Sequence, residues 1–312
     1  MKSDIVKSVL ILFAFASVFS GAPASGNVEF GGYADFIFYN YENETSSFIG
    51  NHLAFDLLAE PSEDVFVKAE LEWSTQRLFP EGGRIAATRI SYAYIDYPLA
   101  EEMRIITGKF LLPFNVYNER LYRPDTARFA NPPFINSLLI VNGISPLPVK
   151  AAGTGVQLRG VVDAGTDITL GWAAYIASRS EQEGGDGAGG RIAVISGDAF
   201  ELGISGYTTG IHGADSDLVM FGSDIFGSYE PFELRSEYIR AKLDDSVDGF
   251  YLQAAYFFLE DYEVAVRYEK LDSIKRTSIG AGWEMMDNLM IRLSYEWSDL
   301  ADGITGQLAI SF

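Results

Sequence analysis

The stretch Val65-Phe66-Val67-Lys68-Ala69-Glu70-Leu71-Glu72-Trp73-Ser74 decides the fold. Val65, Val67, Ala69, Leu71 and Trp73 are apolar, and the residues between them carry Lys68, Glu70, Glu72 and Ser74. A strand sends successive side chains to opposite faces, so this run builds a ribbon that is greasy on one side and charged on the other. The same pattern returns at Tyr262, Val264, Val266 and Tyr268 against Glu263, Ala265, Arg267 and Glu269. It returns again at Leu289, Ile291, Leu293, Tyr295 and Trp297 against Met290, Arg292, Ser294 and Glu296. A soluble sandwich also alternates, but it must pack its apolar faces together in one dry core. No single core absorbs so many such faces. A closed barrel with lipid outside and water inside accommodates all of them.

Outward from that stretch, period-two segments are expected at 28–41, 49–59, 65–74, 87–97, 103–110, 154–162, 167–178, 191–196, 199–210, 217–227, 232–242, 250–259, 262–269, 277–285, 289–297 and 304–312. The fold class is therefore all-β, a transmembrane antiparallel up-and-down barrel of about 16 strands. Tyrosines at both ends of an apolar face, as at Tyr262 and Tyr268, suit an aromatic girdle at each membrane interface. The connections at 61–64, 98–102, 164–165, 197–198, 260–261 and 286–288 are short and follow even strands, whereas every long one follows an odd strand. Short turns belong on the periplasmic side and long loops outside. The Gly-rich acidic tract 181–190 is expected to be an exposed loop.

One connection stands apart. Residues 110–153 hold Pro113, Pro124, Pro132, Pro133, Pro146 and Pro148 of the chain's 11 prolines, so neither helix nor central strand runs far through them. Their Phe, Leu, Ile and Tyr content argues against disorder. This third external loop is expected to fold into the lumen and narrow it. Its constriction charges are Arg120, Arg123, Arg128 and Lys150 with Glu119 and Asp125, and Lys109 stands at its edge. Facing them from the wall are Glu70, Glu72, Arg159, Arg267, Arg292 and Glu296. Charge near a narrow water path sets ion preference because the field concentrates between low-dielectric walls. Arginines opposite an acidic wall give a transverse field and at most a weak anion preference. The plainer alternative is that they pair at the outer rim and select nothing.

Lys2 and Lys7 precede an apolar run from Val9 to Phe19, and Ala22-Pro23-Ala24 is a cleavage pattern, so 1–24 is expected to be a signal peptide and 25–312 the barrel. No later apolar run has the length of a membrane helix. The net charge of -20 speaks against nucleic acid as a partner. The absence of cysteine removes a lipid-anchor thiol, disulfides and thiolate metal sites. His52 has no neighbouring serine motif and His212 sits beside glycine, so a hydrolase triad is not expected and His52 is expected to line the lumen. Asp215, Asp217, Asp224, Asp244, Asp245 and Asp248 are expected to crowd the outer loops as solvated charge, without calcium-loop spacing. No cofactor and no metal are expected.

Two resemblances add to this reading. The terminal Phe312, closing an alternating strand, resembles the signal that the barrel-assembly machinery reads in bacterial outer-membrane proteins. Gly108-Lys109-Phe110-Leu111-Leu112-Pro113-Phe114 resembles the G-x-F-x-x-P-F-G segment of the phosphate-selective porins O and P family, with Asn115 where that family usually has Gly. The resemblance implies a Gram-negative outer-membrane porin, commonly a homotrimer, seated in outer-membrane lipid and lipopolysaccharide. It would pass small hydrophilic solutes and ions by diffusion. The competing expectation is a structural or surface-interaction barrel with a plugged lumen.

Overall fold

A computed structural model describes residues 27–42, 46–78, 83–124, 126–137, 139, 151–178, 186–210 and 216–312, with the side chains at 47–51, 75–78 and 83–87 left out. The expected signal peptide, Asp125, Lys150, His212 and Asp215 lie outside the described residues. The strands are β1 (Val28–Tyr41), β2 (Ser47–Ser62), β3 (Val65–Leu78), β4 (Gly83–Ala100), β5 (Met103–Leu111), β6 (Ala152–Asp163), β7 (Thr169–Ser178) and β8 (Asp186–Ser196). They continue as β9 (Phe200–Thr209), β10 (Leu218–Tyr229), β11 (Phe232–Lys242), β12 (Ser246–Phe258), β13 (Tyr262–Leu271), β14 (Ile274–Met286), β15 (Leu289–Ser298) and β16 (Gly303–Ser311). Each pairs antiparallel with its sequence neighbours, and β1 closes the barrel on β16 through pairs such as Phe36↔Leu308 and Tyr39↔Thr305. Closure removes the unpaired edges that an open sheet would present to lipid.

The alternation read from the sequence divides outside from inside. Phe36, Phe55, Val264, Val266, Ile291 and Leu293 are exposed on the outer face, while Asp35, Glu70, Glu72, Glu263, Arg267, Glu269, Arg292 and Glu296 are buried within. Rings collect at both ends of the outer face. Phe258, Tyr262 and Trp283 stack at the end bearing the even-strand turns (centroids 5.6 and 6.1 Å apart), and Tyr295 lies 4.6 Å from Trp297 at the other. Amphipathic rings settle at the headgroup level, so these two belts mark the membrane boundaries.

β3 runs on to Leu78 and β4 starts at Gly83, both longer than expected, and β8 departs further. β8 begins at Asp186, so Gly187–Gly190 belong to the wall and not to an exposed loop. The glycines there have a use: a Cβ on Gly189 would lie 2.4 Å from the Tyr175 hydroxyl, and one on Gly187 2.6 Å from that of Tyr207. The glycines give room to tyrosines that lean in from β7 and β9. Asp224 also moves, from an expected outer loop to the inward face of β10, where it is buried against Arg191.

Candidate functional site in the barrel lumen

The segment after β5 turns inward at once. Gly108 has φ +125°, and a Cβ there would sit 2.5 Å from the Ala93 carbonyl oxygen, so only glycine fits. Asn115 has φ +57°, in the left-handed region that asparagine tolerates better than other side chains do. That is why Asn can stand where the resembling family has Gly. Asn118 fastens both ends of the excursion: its Nδ2 donates to Leu112 O (2.8 Å) and Ala151 O (3.0 Å), and its Oδ1 accepts from Ala151 N (2.8 Å).

Apolar burial holds one flank. Phe110, Leu112, Phe114, Phe134, Ile135 and Leu139 pack with the inward residues Tyr175, Tyr207, Leu218, Met220, Ile239 and Tyr251. Each such side chain contributes about 1.5–3 kcal/mol when removed from water. Phe110 meets Tyr175 edge-on at 6.3 Å, and Tyr175 stacks on Tyr207 at 6.0 Å.

Ion pairs and hydrogen bonds hold the rest. Arg128 bridges Glu233 and Glu263 (2.8 Å each) with its guanidinium 4.7 Å from the Phe257 ring centre. Arg292 binds Glu263 (2.9 Å) and donates to Pro124 O (2.6 Å). Arg267 binds Glu269 (2.9 Å) and donates to Asn131 O (3.0 Å), while Arg276 binds the same Glu269 (2.7 Å) and donates to Pro132 O (2.8 Å). Glu269 also accepts from the Phe134 amide, and Glu237 from the Tyr117 amide at 2.6 Å. Glu296 accepts from Tyr41 and Asn131, both at 3.0 Å. Burial would lower the Arg128 pKa, but Glu233 and Glu263 outweigh it and hold it above its ordinary value. Burial pushes the Glu119 carboxyl up, against the pull of Arg191, Arg120 and Arg159.

Of the remaining expected residues, Arg120 pairs with Glu201, Arg123 with Asp56 (3.1 Å), Arg159 with Asp96 (2.8 Å) and Glu119 with Arg191 (3.9 Å). Glu72 accepts from Ser91 at 3.0 Å and pairs with Arg89 at 3.3 Å, and Glu70 is fully buried beside it on the same face of β3. Lys109 does not join them. The register pairs it with Ala93, two residues from the outward Ile95, and its Nζ donates to Ile90 O (2.6 Å) on the outer side. Inward Phe110 takes the neighbouring place, so Lys109 is removed from the constriction set. His52 faces inward, its Nδ1 2.7 Å from Asp35 Oδ1. Phe312 is exposed on the outside, edge-on to Phe55 at 6.0 Å, and its backbone is bonded to Gly32. Sequence reasoning placed Glu263 and Glu269 on a polar face without including them in the site, and it missed Glu233, Arg235, Glu237 and Arg276. Their signal was present, since each occupies the polar phase of an alternating strand.

Exposure separates these charges. The side chains of Arg120, Arg89 and Arg159 are 55%, 40% and 40% exposed, while their partners Glu201, Glu72 and Asp96 are 5% or less. On β13–β15 both members of each pair are buried. A cavity of about 370 Å³ lies on the exposed side, lined in part by Arg104, Pro113, Glu119, Gln157, Arg159 and Arg191. Among the described residues no group of three metal-ligating side chains converges.

No protein-family model and no curated sequence matches the chain. Solved structures do. OmpF of Salmonella typhi, in complex with daunomycin, superposes with a TM-score of 0.67 at 14% identity, over 91% of this chain and 97% of that one. An anion-selective porin from Comamonas acidovorans gives 0.66 at 11%, over 92% and 100%. OmpT of Vibrio cholerae in a trimer form gives 0.60 at 10%, over 92% and 99%. The closed 16-strand wall, its apolar outer band and these neighbours locate the chain in a bacterial outer membrane.

Proposed function

We propose that the chain is a porin: a passive channel for small hydrophilic solutes and ions, and not an enzyme. Its passage follows the arc from β2 to β6, with the segment after β5 as its constriction. The observation that carries this is the exposure of Arg89 and Arg159 over carboxylates buried on β3 and β4, which puts guanidinium heads in water on that side of the lumen, with Arg120 of the loop likewise exposed over Glu201 on β9. A wall that shows its cations and hides its anions favours anions weakly, because every positive charge has a negative one close behind it. Phosphate selection, implied by the resemblance at 108–114, is at most a special case of this preference. Assembly as a homotrimer belongs to the same reading, as does recognition of Phe312 by the barrel-assembly machinery.

Planar-bilayer recording on the refolded protein tests it. Discrete steps with a reversal potential shifted modestly toward anions are expected, and the shift shrinks in Arg120→Ala and Arg123→Ala. Unchanged selectivity in both variants sinks the arginine assignment. A plugged barrel that serves its surface loops is the second reading, favoured by the near-complete burial of Tyr33, Glu70 and Glu269 inside the lumen. Silence in the bilayer from correctly folded protein supports it over the porin.

A further inference from the structure

Among the described residues, cations on the outer face lie nearly all in one place. Arg240 and Lys242 continue the outward phase of Leu234 and Tyr238 on β11, and Lys270 continues that of Val266 and Tyr268 on β13. Lys275 faces outward on β14, directly opposite Lys270. Arg240, Lys242 and Lys275 are exposed and Lys270 is half-buried. None of the four takes part in an ion pair among the described residues. Arg240 stands opposite Asp248, and Lys275 N donates to Asp299 Oδ2 (2.9 Å), yet no ion pair joins these carboxylates to the four cationic side chains. In a chain with 43 acidic and 23 basic residues, such a group on a lipid-facing surface is against the trend.

Two like charges directly across a strand pair destabilise it unless an anion lies between them. The residue types agree. The lumen pairs its carboxylates with arginines, whose planar fork suits carboxylate oxygens. Lysine dominates this outer group instead, a point charge that binds phosphate without the fixed geometry a guanidinium fork imposes. The height agrees as well. Lys270 lies two residues past Tyr268 of the outer aromatic belt, about 7 Å along the strand, which is headgroup level. The connections above it, 243–245 and 272–273, are short, so the approach from the lipid side is open.

We infer that Arg240, Lys242, Lys270 and Lys275 form a binding site for the phosphate groups of an anionic glycolipid of the outer leaflet, the lipid A moiety of lipopolysaccharide. The inference depends on the membrane location and not on whether the barrel conducts. The test is titration of the refolded full chain in mixed micelles with bis-phosphorylated lipid A and with the same lipid dephosphorylated, read by native mass spectrometry. The phosphorylated lipid is expected to stay bound and the dephosphorylated one to be lost. Lys270→Gln/Lys275→Gln is expected to weaken retention by about twenty-five-fold, roughly fivefold per charge. Lys109→Gln, an outward cation elsewhere on the barrel, is expected to leave it unchanged. Equal retention of both lipids by the native chain overturns the site, whether or not the double variant folds. So does undiminished binding by a double variant that still shows the heat-dependent gel shift of a closed barrel. If inorganic phosphate alone binds the native chain as tightly as the lipid does, the site is for free phosphate and the lipid assignment falls.

Discussion

Two arcs of the lumen use the same chemistry to opposite ends. From β11 to β15, guanidinium and carboxylate groups are buried together and each bridges wall to loop, as Glu269 does by binding Arg267, Arg276 and the Phe134 amide. From β2 to β6 the pairs lie mostly within the wall, as in Arg89–Glu72 and Arg104–Asp96, and the arginine of each reaches water. Burial makes the difference. A buried pair gains little net stability over an apolar pair of the same shape, but losing one partner strands a charge. A water-facing pair is screened and replaceable. One arc fixes the loop, and the other sets the field that a solute meets.

The largest expected effect breaks the buried arc. Glu269→Ala leaves Arg267 and Arg276 without their shared carboxylate and frees the Phe134 amide, at a cost of about 3–5 kcal/mol. Urea unfolding in detergent, followed by tryptophan fluorescence, measures it. The conductance step should rise at the same time, because the loop loses its Phe134 attachment to β13 and the arginines that hold Asn131 and Pro132 lose the carboxylate that orients them. A stability change below about 1 kcal/mol would mean that the loop is held by its apolar flank alone.

A middle-sized effect tests how the loop leaves the wall. Asn115→Val places a β-branched residue at φ +57°, which costs about 1–3 kcal/mol, whereas Asn115→Gly should stay within about 0.5 kcal/mol of the native chain. Comparing the two by the same unfolding measurement separates backbone strain from loss of the side chain. If Asn115→Gly is the more damaging, the Asn115 side chain, whose Nδ2 donates to Tyr238 O (3.5 Å), matters more than its conformation.

Most of the wall was legible in the sequence because one face carried charge and the other did not. β3, β13 and β15 show this best, and their phase also fixes which residues see lipid. Legibility failed where side chains could not report the phase. Gly187 and Gly189 have none to show, and the reason for them, Tyr207 and Tyr175, lies on other strands. β5 has Ile105 and Ile106 on opposite faces, so its alternation carries no sign, and Lys109 could be placed only by register. The loop's charges were legible as a list, but their partners were not. Arg128 meets Glu233 and Glu263 across more than a hundred residues, and no local spacing encodes that.

The smallest effect on stability should be the clearest on selectivity. Arg159 and Arg104 share one carboxylate, with Asp96 Oδ2 2.8 Å from Arg159 and Oδ1 2.6 Å from Arg104. Removing Arg159 therefore leaves Asp96 still paired, and the cost of Arg159→Ala should stay below about 1 kcal/mol. The charge it removes faces water beside the 370 Å³ cavity, so the reversal potential in a salt gradient should move toward cations. Glu269→Ala is expected to do the reverse, with a large loss of stability and little change in ion preference per unit current. If Arg159→Ala destabilises the barrel as much as Glu269→Ala does, or leaves the reversal potential where it was, the two arcs are one network and the division between holding and selecting disappears.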